Sequence, residues 1–149
     1  MKGMMTSMNV FPMLMAILAG IFTTIEASIN SQLGKYVTPA VATLHSLITG
    51  TTVFLIINIV NGSIVKYQKI TQVSPIWLIG GVFGAFIIYL SSKAIPSLGI
   101  SNTLILLLTG ELLCGLLIDA LILNHAINVR KMIGLVLFLV GTIVYLQEK

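Results

Sequence analysis

Four carboxylate side chains occur in 149 residues, and three of them fall inside long apolar runs: Glu26, Glu111 and, toward the end of its run, Asp119. Glu111 stands near the middle of Leu104–Leu123, which is otherwise almost pure hydrocarbon. A charge at a bilayer centre costs at least about 2.5–3.5 kcal/mol on insertion scales. A helix of Leu and Ile has no packing reason to carry that cost, so Glu111 is expected to face a protein partner or a wet cavity. Desolvation favours the neutral form of an acid. A carboxyl so placed can load and release a proton or hold a cation, which makes Glu111 a candidate proton- or substrate-binding residue. The competing reading is a permanently protonated Glu hydrogen-bonded across a helix interface. Glu26 lies late in the first apolar run, about 9 Å from the mid-plane at 1.5 Å per residue. Asn30 is one turn further out. Residues three and four apart share a helix face, so Thr23, Glu26, Ala27 and Asn30 form one stripe. Glu26 reads as a second proton- or cation-binding carboxylate, with Asn30 lining the entrance. A helix end reaching into the headgroups is the alternative for both.

The elements that must position these groups follow from composition. The chain is 57% hydrophobic and only 8% charged, against about 25% charged in soluble domains. It reads as an all-α, multi-pass membrane protein. A spanning helix needs about 20 mainly apolar residues, and five such runs fit, over about 9–29, 40–61, 76–92, 98–123 and 132–146, as one five-helix domain across 1–149. Lys2 before an apolar run resembles a secretory leader, but no clean small-residue cleavage site follows, so the first run is read as a retained span. Thr38-Pro39 and Ser74-Pro75 are cap-plus-Pro helix starts. Asn61-Gly62 is a turn signal, and Pro96 with Gly99 marks a tight connection. The short polar link Asn124–Asn128, which holds His125, joins the last two spans. Trp77 suits an interfacial belt, Tyr67 and Tyr89 also read as belt aromatics, and Lys93 can snorkel. Gly80 with Gly84 and Gly134 with Gly141 give small-residue faces for helix packing.

The basic residues lie between the apolar runs, so they are topology signals rather than a nucleic-acid surface. With five spans, the N-terminal side holds Lys2, Lys66, Lys69, Arg130 and Lys131; the other side holds Lys35, Lys93 and Lys149. The excess places the N-terminal side in the cytoplasm, and its small size permits a partner inserted the other way up. Asp119, near Arg130 and Lys131 on that side, is expected in an interfacial ion pair. His45 reads as an interfacial histidine, with a proton relay as the alternative. Cys114 is expected as a small, buried packing residue, a lone cysteine with no disulfide or metal cluster. No phosphate-binding loop and no hydrolytic triad has an aqueous setting. No enzymatic activity and no cofactor beyond a coupling proton is expected.

Glu26-Ala-Ser-Ile-Asn-Ser-Gln-Leu-Gly34, Gly80-Gly-Val-Phe-Gly-Ala85, Ile95-Pro-Ser-Leu-Gly99, Thr109-Gly-Glu-Leu-Leu113, Ile118-Asp119 and the Gly134…Gly141 pair run in order through nearly the whole chain. Together they resemble the YdcZ family of the drug/metabolite transporter superfamily, which is distantly similar to the small multidrug resistance family. The resemblance implies one inverted-repeat unit in a bacterial inner membrane, paired with a second unit in the opposite orientation. That second unit is a copy of this chain or a paralogue. Relatives usually carry Gln at the positions matching Glu26 and Glu111; two Glu residues here imply a more proton-sensitive protein. The expected function is secondary, proton-coupled transport of a small polar or cationic metabolite. A passive channel and a non-transporting structural subunit are the other readings.

Overall fold

A computed structural model describes residues 10–122 and 128–147. The described residues are helical, with no strand, and contain five helices long and apolar enough to cross a membrane. They are α1 (Val10–Tyr36), α2 (Pro39–Val60), α3 (Gly80–Leu98), α4 (Ile100–Leu121) and α5 (Val129–Leu146). Two 3-10 helices, Ser63–Gln72 and Pro75–Leu78, lie between α2 and α3. The chain divides into two compact units, Met1–Pro96 and Ser97–Lys149.

Helix boundaries depart from the expectation at several points, each for a local reason. The first helix does not stop at Ile29; it continues to Tyr36. Nothing in Asn30–Tyr36 breaks a helix, and the break comes only at Thr38-Pro39. There the Thr38 hydroxyl accepts the Val41 N–H, as a side-chain cap should. Glu26 therefore lies only three residues past the midpoint of its helix, about 4.5 Å at 1.5 Å per residue. Ser74 makes no side-chain cap, and the segment after it begins as 3-10 with Trp77 exposed on it. The third helix runs through Pro96 to Leu98. Proline there costs the one backbone bond its N–H would make to the Ser92 carbonyl, and only two residues of helix follow it. The helix ends at Gly99, whose φ of +81° suits only glycine. The fifth helix starts at Val129, because the Asn128 side chain accepts the Arg130 N–H. Arg130 and Lys131 thus lie in its first turn rather than before it. Leu123 and the link holding His125 fall outside the described residues.

The packing is that of a lipid-solvated protein. Between 0% and 17% of each span's most apolar window is buried. In water so much exposed Leu, Ile, Val and Phe would aggregate; in hydrocarbon it carries no penalty, and helices associate through small and polar residues instead. Within the first unit, the buried positions follow that rule. Ala27, Asn30 and Ser31 on α1, Ala42 and Thr43 on α2, and Ser91, Ser92 and Ile95 on α3 are buried. Only Val37 and Thr38 separate α1 from α2, so the two pack as a helical hairpin.

Candidate functional site

Glu26 and Asn30 meet a third residue. The Ser46 hydroxyl, from α2, donates to Glu26 Oε1 at 3.0 Å and accepts from Asn30 Nδ2 at 3.2 Å. A hydroxyl has one proton to give. Since that proton goes to Glu26, the carboxylate is the acceptor and the Asn30 amide the donor at the other end. The Asn30 carbonyl in turn accepts from Ser92 Oγ of α3 at 2.9 Å. Three helices are thus tied through one asparagine, 3% exposed. Glu26 itself remains exposed on the protomer surface. Beside this junction a Cβ on Gly34 would come within 3.2 Å of Ser92 Oγ and 3.4 Å of Pro39 Cα. Glycine there permits the close approach that the hydrogen bonds require. The neighbouring Ser31 Oγ is buried and has no hydrogen-bond partner among the described residues.

Other polar residues on these helices are accounted for locally. Thr23, Thr24, Thr49 and Thr52 each donate to the carbonyl four residues back at 2.8–3.0 Å. This is the ordinary means by which a hydroxyl is satisfied inside a lipid-facing helix. His45 is exposed. Lys93 lies over the Tyr89 ring, 5.9 Å from its centroid, within cation–π range.

The second unit holds Glu111 at mid-length of α4. Glu111, Gly115 and Asp119 recur every fourth residue and so share a face of α4. Lys131, Gly134, Leu135 and Phe138 share the opposing face of α5. Between them lies a groove of about 680 Å³ to which all seven contribute. That is within the usual size range of small-ligand pockets. Gly115 and Gly134 keep it open: no atom lies within 4 Å of a Cβ built on either. At one end Asp119 Oδ2 pairs with Lys131 Nζ at 3.7 Å, the kind of ion pair expected from sequence, and among the described residues Arg130 does not join it. The other packing candidates, Gly80, Gly84 and Gly141, likewise have nothing within 4 Å of an added Cβ. Cys114 is a free thiol that is exposed on the protomer rather than buried as expected. Among the described residues no group of three or more His, Cys, Asp or Glu is placed to hold a metal.

A family model described as "Putative inner membrane exporter, YdcZ" matches residues 11–144. The chain belongs to the YdcZ family. It is therefore a multi-pass inner-membrane protein of a family described as exporters. No curated protein and no solved structure matches it. The span common to the YdcZ model takes in both carboxylate settings, the hairpin junction and the α4/α5 groove.

Sequence reasoning missed Ser46, Ser92 and the far wall of the groove. One signal was available for Ser46. In a tight helical hairpin, residues equidistant from the turn face each other. Asn30 and Ser46 are each eight residues from Thr38. Ending the first helix at Ile29 hid that pairing.

Proposed function

We propose that this YdcZ-family chain is one half of a proton-coupled exporter of a small polar or cationic metabolite, with two units inserted in opposite orientations. Glu111 is the residue on which coupling turns, and the observation that carries the reading is its position in the α4/α5 groove. A mid-helix carboxylate borders an open groove of about 680 Å³ whose other walls are largely Leu, Phe and Gly. Its neighbours Leu108, Leu112 and Gly115 offer it no side-chain partner. Such a group is available to a proton or to a cation, and the two compete for it. That competition is the simplest basis of exchange: a protonated carboxyl releases the cation, and a cation displaces the proton. Glu26 is the second binding carboxylate. Its Ser46–Asn30 partners hold it in one geometry and link its occupancy to the contact of α1 with α2 and α3. Opposed units would bring such sites together near the bilayer mid-plane, where inverted-repeat transporters bind their substrates.

Liposomes containing the purified protein and a pH-sensitive dye test this. A panel of small primary amines, guanidinium and quaternary ammonium ions is added against an imposed pH gradient. At least one is expected to discharge the gradient and to accumulate uphill. Glu111→Gln, in protein that still reconstitutes, is expected to reduce that exchange to the level of empty vesicles. Exchange undiminished by Glu111→Gln would remove the residue from coupling. Flux that never accumulates substrate would instead indicate a passive facilitator.

A further inference from the structure

The segment between α2 and α3 carries a second groove, remote in sequence from both carboxylates. Gly62, at φ +65°, takes the left-handed turn that ends α2. The chain then forms the ten-residue 3-10 helix Ser63–Gln72, which packs against α2. A 3-10 helix has three residues per turn, so positions three apart stack along one edge. Ile64, Tyr67 and Ile70 form such an edge, and all three line a groove of about 610 Å³ shared with Phe54, Leu55 and Asn58 of α2. The adjoining edge carries Ser63, Lys66 and Lys69, and Lys66 also reaches the groove. The sequence therefore sets an apolar edge and a cationic edge side by side at the end of a spanning helix.

Charge makes the choice of occupant. No Asp or Glu occurs anywhere from Ala27 to Gly110, so no carboxylate on this segment competes for Lys66 or Lys69. Asn58 Nδ2 donates to the Phe54 carbonyl, leaving its Oδ1 as an acceptor. We propose that this groove binds an anionic phospholipid, with an acyl chain against Phe54, Leu55 and Ile70 and the phosphodiester at Lys66 and Tyr67. Asn58 Oδ1 then accepts from a headgroup hydroxyl. A free phosphate would use the lysine but leave the apolar wall without a function. A lipid uses both, and a chain that spans a membrane is surrounded by lipid. Since lysines near an anionic leaflet each contribute about 1 kcal/mol, the preference for anionic over zwitterionic lipid is about fivefold for each lysine engaged.

The test is native mass spectrometry of the protein released from nanodiscs holding equal phosphatidylglycerol and phosphatidylcholine of matched chains. The wild type is expected to retain phosphatidylglycerol about fivefold over phosphatidylcholine. Lys66→Gln brings that ratio close to one, Lys66→Arg preserves it, and Lys35→Gln, at the end of α1, leaves it unchanged. Equal retention by the wild type would overturn the proposal. So would a loss in Lys35→Gln matching that in Lys66→Gln, which would mean diffuse surface attraction. Abolition of the preference by millimolar inorganic phosphate would also overturn it, by making the site one for the free anion.

Discussion

The hairpin junction around Asn30 and the groove beside Glu111 are built on opposite principles. At the junction, polar atoms are buried and mostly partnered: Ser46, Asn30 and Ser92 satisfy one another across three helices, and among the described residues only Ser31 Oγ is left over there. In the groove, a carboxylate faces largely apolar walls, held open by glycines on which an added Cβ would meet no neighbouring side chain or helix within 4 Å. The first arrangement spends its polarity on holding helices together. The second leaves its polarity available. In lipid, polar contacts and close approach are the main means of helix association, so a polar group that makes neither contribution is the better candidate for binding. On that argument Glu111 is the better supported of the two proposed binding carboxylates, and Glu26 is half structural.

The contrast breaks most readily at Ser46. Ser46→Ala removes the hydroxyl that joins Glu26 to Asn30 and strands an amide that is 3% exposed. The expected loss is about 1–2 kcal/mol, between the mean coupling measured across membrane helices and the full cost of an unpaired buried donor. Reversible unfolding in mixed micelles reads it. If stability holds while exchange collapses, the junction is a binding site rather than a fastening, and the distinction between the two regions fails.

How much of this was legible beforehand differs between the two regions for a physical reason. The spans are marked by length and hydrocarbon content, which lipid itself imposes. Glu111 stood out because an acid at the middle of a Leu-rich helix has no packing reason to be there. Its groove did not stand out, since Phe138 and Leu135 look like any lipid-facing residues until α5 is set against α4. The junction was half legible. Glu26 and Asn30 announce themselves one turn apart, and Ser46 follows from the symmetry of the hairpin about Thr38. Ser92 does not follow from anything local: its bond to the Asn30 carbonyl joins residues 62 apart in sequence, and that depends on where α3 comes to lie. Element ends were misjudged wherever polarity was taken for a boundary. Asn30 and Ser31 are polar because they are buried at the junction, while Gln32, Lys35 and Tyr36 are exposed on a helix that simply continues.

Glycine substitutions sharpen the comparison at a smaller scale. Gly34→Ala adds a Cβ 3.2 Å from Ser92 Oγ and 3.4 Å from the Pro39 backbone. The serine rotor can give but the backbone cannot, so the expected cost is about 1 kcal/mol, the low end for overpacking. Gly115→Ala meets nothing and relieves glycine's entropic penalty within a helix, so it should stabilise the protomer by about 0.5–1 kcal/mol. The same unfolding measurement serves for both. A destabilised Gly115→Ala would mean that another chain packs into the groove, which would favour an interface there over a substrate site.

The smallest effect is expected at the groove's charged end. Asp119 and Lys131 are 3.7 Å apart with side chains 36% and 58% exposed. Exposed pairs at that separation contribute about 0–1 kcal/mol, less with added salt. Lys131 also sits in the first turn of α5, where a cation opposes the helix dipole, and Asp119 offsets that. Asp119→Asn should therefore lower stability by under about 1 kcal/mol, an effect that high salt erases, while leaving exchange intact. Its value lies in what a larger result would mean. An Asp119→Asn protein that folds normally yet loses exchange as completely as Glu111→Gln would make both carboxylates ligands. They stand eight residues apart on one helix face, about 12 Å along its axis. The groove would then hold an elongated substrate with positive charge at each end rather than a compact monocation.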